Sequence, residues 1–174
     1  MQQTLFALAA LLVFSLTALS EHRSFASSEH RAVVGNLELA ASDVASGYLV
    51  RALGRAYDEA DVLPEAPLRL TTVGLTPTLG PEVGETLATY DDVDDFHGLA
   101  LTDSMLFDGS GLRFDVAVTV RYVDPANPRT GSATPTLAKE VVVTVVERSP
   151  AGNRPPARCT LRRVVTAAEQ FFRR

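Results

Sequence analysis

From Leu112 to Tyr122, the residues Leu112, Phe114, Val116, Val118, Val120 and Tyr122 alternate with Arg113, Asp115, Ala117, Thr119 and Arg121. A period of two sends successive side chains to opposite faces, so this run is a strand with one apolar and one wet face. Such strands belong to antiparallel sheets with a cover on one side. Further strands are expected at Lys139 to Glu147, more buried for its VVVTVV run, and at Arg158 to Thr166. The Pro- and Gly-bearing stretches DPANPRTGSATP and RSPAGNRPP separate them, Gly109-Ser110-Gly111 is a turn, and AAEQFFRR closes the chain as a short helix.

The cover comes from upstream. Val33, Leu37, Ala41, Val44, Tyr48 and Ala52 recur every three or four residues, which is helical spacing. Gly35, Gly47 and Gly54 weaken that helix by about 1 kcal/mol each relative to Ala, so it depends on packing its stripe. Pro64 marks its expected end, near Asp61.

Residues 1–20 carry no charged side chain, and their apolar heart, Leu5 to Leu19, is 15 residues long. A helix of that length spans roughly 22 Å against a hydrocarbon core of about 30 Å, which all twenty uncharged residues together would cover. A retained single-pass helix, a secretory signal cleaved after Ser20 and a buried core helix are the three readings, and the first is the expectation. The fold expected is therefore α+β. Residues 1–20 form a transmembrane anchor, 21–63 an amphipathic helix, 64–111 an irregular acidic connection holding one short strand at Leu68 to Val73, and 112–174 an antiparallel sheet.

Charge is segregated: the net is −3 over residues 1–69, −8 over 70–112, which lack Lys and Arg, and +6 over 113–174. An acidic middle and a basic final third are expected to attract one another, and no concentrated basic patch of the kind nucleic acids require is present. Cys159 is the only cysteine, so no disulfide forms within the chain, and it reads as a small strand hydrophobe.

The most distinctive local sequence is YDDVDDFHG at Tyr90 to Gly98. Asp91, Asp92, Asp94 and Asp95 are candidate ligands of a hard cation such as Ca²⁺, which takes six to eight oxygens. An EF-hand is excluded, because Phe96 and Thr102 stand where its Gly and bidentate Glu belong. The expectation favoured over a metal site is a structural role in which these carboxylates cap a turn, accept local amides or pair with Arg113 and Arg121. His97 with an aspartate is a weaker candidate for acid–base chemistry, since no nucleophile motif or phosphate loop accompanies it. No catalytic residue is assigned.

With an apolar N-terminal helix running into an amphipathic one, then DDVDDFHG, then alternating strands, the chain resembles bacterial type IV pilin-like proteins. DDVDDFHG itself is similar to a segment of minor, mannose-sensitive-haemagglutinin-type subunits. The resemblance implies a long bent helix, its first half in a membrane or filament core and its second half packed on a sheet. It implies a non-enzymatic structural role, with other pilin-like subunits or the secretion or pilus machinery as partners. It also implies a single-pass place in the inner membrane or cell envelope, with the C-terminal domain outside the cytoplasm. The alternative function is a secreted or anchored module whose Asp91 to Asp95 cluster binds a partner through Ca²⁺.

Overall fold

The computed structural model describes residues 2–62, 68–107, 110–150 and 154–172. Pro64 and Gly109, expected at a helix end and a turn, lie outside them. The fold is α+β, with one long N-terminal helix and a five-stranded antiparallel sheet. By contact the chain divides into two compact units, Met1–Leu37 and Glu38–Arg174.

Helix α1 (Gln2–Leu53) runs through both units, and its apolar residues are spread around the circumference rather than gathered in one stripe. In the first unit Phe6, Leu8, Leu11, Leu12, Val13, Phe14, Leu16, Leu19 and Phe25 are all exposed. Ser15 and Thr17 donate back to the carbonyls of Leu11 and Val13, satisfying their hydroxyls within the helix. The single-pass anchor expected over residues 1–20 is corrected here. Among the described residues, no helix is long and apolar enough to cross a membrane. The apolar heart, Leu5 to Leu19, is on its own too short for a hydrocarbon core, and Glu21, His22 and Arg23 follow soon after it. The inner-membrane or envelope placement rested on that span and falls with it.

In the second unit, Ala41 and Ala52 of the expected stripe are buried and Val44 and Tyr48 partly so, packed with the core of the sheet. Val33, in the first unit, is exposed. The helix stops at Leu53, short of Asp61: the Gly54 amide still bonds the Val50 carbonyl, but the Ala56 amide turns to the Asp91 carbonyl at 2.9 Å. Ala56 then bridges Asp92, and a single 3₁₀ turn follows at Glu59–Asp61, capped by the Asp58 side chain.

The strands are β1 (Ala100–Phe107), β2 (Ser110–Asp124), β3 (Asn127–Gly131), β4 (Ala138–Glu147) and β5 (Arg158–Thr166), followed by the short helix α2 (Ala167–Phe171). Their order is β1-β2-β4-β5, with β3 returning against the end of β2. The alternation of β2 is realised in full: Phe114, Val116, Val118, Val120 and Tyr122 face the core. They lie opposite Glu147, Val145, Val143, Val141 and Lys139 of β4. Leu68 to Val73 is irregular, and β1 occupies part of the connection expected to have no regular structure.

At the far end of β4, Glu147 is 5 % exposed. It accepts from both terminal nitrogens of Arg154 and from the Ala157 amide at 3.1 Å. The Arg154 guanidinium holds this carboxyl below its ordinary value of 4.5, against the opposing effect of burial. A depressed folded pKa contributes stability that is complete above 4.5 and is lost as pH falls through the lower folded value. Glu147→Gln is therefore expected to flatten the acid limb of a stability-against-pH curve below that point, leaving its shape above pH 6 unchanged. An unaltered acid limb would refute this role.

Candidate functional site: two carboxylate centres in the connecting segments

The YDDVDDFHG stretch forms a 3₁₀ turn at Asp94–Phe96, held inward by Val93 and Phe96, both wholly buried. Asp92 Oδ1 accepts the amides of Asp94 and Asp95 at 2.8 and 3.1 Å. Asp95 Oδ2 accepts those of Asp91 and Asp92 at 2.9 and 3.1 Å. These reciprocal caps are what short Asp side chains do in a tight turn. His97 Nδ1 accepts the Val120 amide at 3.2 Å, and Gly98, at φ +79°, donates to the Val118 carbonyl. His97 is thereby tied to the strand edge, its Nδ1 engaged by a backbone amide, and among the described residues no ion pair joins it to an aspartate.

The four expected aspartates do not converge on one point; they divide between two centres. Asp94 turns to Lys139, whose ammonium is completely buried. Lys139 Nζ donates to Asp94 Oδ1 at 2.5 Å, to the Tyr57 carbonyl at 2.6 Å and to Asp58 Oδ2 at 3.4 Å. It stands 4.6 Å from the centroid of the Tyr57 ring and 5.2 Å from that of Tyr122. A desolvated ammonium over two aromatic faces gains from their quadrupoles as well as from the carboxylates. Asp58 also accepts from the Thr76 amide at 3.0 Å. The centre thus joins three stretches of connecting chain to β4. Burial, then the charge of Asp94, pushes the Asp92 carboxyl well above its ordinary value. Asp94 is raised as well, burial outweighing the ammonium beside it.

The second centre gathers Asp91 and Asp95 with three glutamates. Glu82 and Glu85 are brought together by a turn in which the Glu85 amide donates to the Glu82 carbonyl and the Glu82 amide to Glu85 Oε2, each at 3.1 Å. Gly84, at φ +99°, supplies the left-handed residue this turn needs. Carboxylate oxygens of Glu82, Glu85 and Asp95 lie within 4.8 Å of one another. Glu85 is raised to about 7, first by burial and then through its neighbours, the Asp95 carboxylate among them. Glu59 is raised by burial and by Asp91, Glu85 and Asp95. No family model, curated protein or solved structure matches the chain.

Lys139, Asp58 and the three glutamates were not singled out from the sequence. One signal for the first was available: Lys139 is the only lysine beside fifteen arginines. A compact ammonium fits a closed box of carboxylates and rings where a planar guanidinium does not.

Proposed function

We propose that the protein is a structural, non-enzymatic subunit that works by helix-mediated assembly, in the manner its resemblance to type IV pilin-like subunits implies. The observation that supports this is the exposure of nine large apolar side chains between Phe6 and Phe25 of α1. Each gains about 1.5–3 kcal/mol on full burial, and contiguous apolar surface of this kind marks an interaction site. At 100° per residue, Leu11, Leu12, Val13 and Phe14 alone point in four directions around the helix. A two-stranded coil would show one seam, whereas an all-round distribution suits a helix enclosed by several others. The natural occupants are the same segments of further copies, or of subunits built alike. The second unit then serves as the part each copy displays.

Light scattering and sedimentation of the full-length chain test this. Wild type is expected as a multimer of more than two copies. Leu12→Arg or Val13→Arg, each placing a charge among apolar neighbours, should reduce it to monomer with the circular dichroism of the sheet unchanged. A monomeric wild type, or assembly retained in both variants, would sink the reading.

A further inference from the structure

We propose that Glu82, Glu85 and Asp95, whose oxygens lie within 4.8 Å of one another, form with their neighbours Asp91 and Glu59 a binding site for a hard divalent cation, Ca²⁺, that ties separate segments of the chain together. The proposal is independent of assembly and differs from the run of aspartates singled out in the sequence. Asp95 takes part with Asp91 beside it, whereas Asp92 caps the local turn and Asp94 pairs with Lys139.

Geometry carries the argument. Asp95 is 1 % exposed, and its two oxygens have different fates. Oδ2 is fixed by the amides of Asp91 and Asp92. Oδ1 is buried without a hydrogen-bond partner, and so is Asp91 Oδ1. A buried carboxylate oxygen without a donor is costly, and Asp95 is grouped with Glu82 and Glu85, which when ionised can only accept. Among the described residues, none of the ion pairs reaches any of the five carboxylates. The neighbouring Lys139 is already engaged by Asp94 and Asp58. What such a centre lacks is a positive charge that accepts oxygen ligands from several directions.

Ca²⁺ meets that need better than other common ions. It binds oxygens at about 2.4 Å, so ligands on opposite sides of one ion stand about 4.8 Å apart. The oxygens of Glu82, Glu85 and Asp95 already lie within that separation. No Cys or His is in the set, which disfavours zinc and copper. Mg²⁺ prefers to keep its waters and rarely takes so many carboxylates, whereas Ca²⁺ tolerates mixed monodentate and bidentate ligands in irregular geometry. Preorganisation is also present: the Gly84 turn fixes both glutamates, and the aspartate caps fix Asp95.

The full-length chain, freed of metal by chelation, is titrated with CaCl₂ while its melting temperature is followed. Tb³⁺, a luminescent stand-in for Ca²⁺, is added in parallel, because Tyr90 can sensitise it. Burial, and after it the nearby charges of Asp95 and Glu85, raises the Tyr90 phenol, which places it beside the site. Expected are a rise of about 5 °C or more once Ca²⁺ exceeds its Kd a hundredfold, and a Tb³⁺ signal that Ca²⁺ displaces. The double variant Glu82→Gln with Glu85→Gln keeps its hydrogen-bond acceptors and alters no core contact, and should lose both responses. Three results overturn the proposal: no shift in wild type up to about 10 mM Ca²⁺, beyond the weakest class of protein sites; an undiminished shift in the double variant; or an equal response to Mg²⁺. Since the readouts are melting and luminescence, a protein that fails to assemble still tests the site.

Discussion

Lys139→Met is expected to lower the unfolding free energy by about 3–5 kcal/mol, the usual cost of removing one partner from a buried ion pair. The methionine fills most of the volume, so the loss is electrostatic. Asp94 and Asp58 would remain buried with no cation, and the Tyr57 carbonyl would lose its donor. Urea denaturation reads the change as a lower midpoint at nearly constant slope. Adding Asp94→Asn to Lys139→Met should recover part of the loss, since a neutral amide no longer needs the ammonium. A double-mutant cycle then gives the coupling directly. Lys139→Arg should also be destabilising, because the site is completely buried and a larger guanidinium must displace Tyr57 or Tyr122. A loss under 1 kcal/mol in Lys139→Met would show that the ammonium is not what holds the connection to the sheet.

How far the fold was legible follows from which residues answer to one constraint and which to two. Val116, Val118 and Val120 need only a covered face, so period-two alternation announced β2, although the strand runs on to Asp124 and begins at Ser110, where a turn was expected. β4, with Val141, Val143 and Val145 on the core face, showed as the continuous VVVTVV run, and β5 has the bounds expected for it. β1 was hidden because one of its core-facing positions is Asp103, between Leu101 and Met105. It accepts the Tyr48 hydroxyl at 2.9 Å, a partner 55 residues away in the chain. An acid in that place makes sense only with the helix present. Lys139 was read as the first residue of β4, one residue from its actual start, but nothing in the strand pattern told that its ammonium is buried opposite Tyr122 on the core face. In the acidic stretch, the turn-capping role of Asp92 and Asp95 was readable from their spacing. The division of the four aspartates between Lys139 and the glutamates was not, because Glu59, Glu82 and Glu85 arrive from other segments. The expected attraction between the acidic middle and the basic final third appears in one buried contact, Asp94 with Lys139.

Phe96→Ala should cost about 3–5 kcal/mol, the range for removing a fully buried aromatic. The ring sits one residue beyond Asp95 and packs edge-on against Tyr90 at 5.2 Å between centroids. It belongs to the same core as Phe114, Val116 and Val118, so it is the apolar peg by which the acidic stretch is seated on the sheet. Its loss has a second, separable consequence. With the peg gone, Asp91 and Asp95 are held only by their local caps, which do not fix their position relative to Glu82 and Glu85. Any Ca²⁺-induced rise in melting temperature should therefore shrink in Phe96→Ala even under conditions where the protein remains folded. Phe96→Leu, which refills most of the space, should restore much of both effects. The control is Phe172→Ala, at a position 77 % exposed, where the change should stay within about 0.5 kcal/mol. If Phe96→Ala and Phe172→Ala proved equally mild, the acidic stretch would have to be seated by Lys139 alone, and the loss in Lys139→Met should then approach the whole stability of the connection.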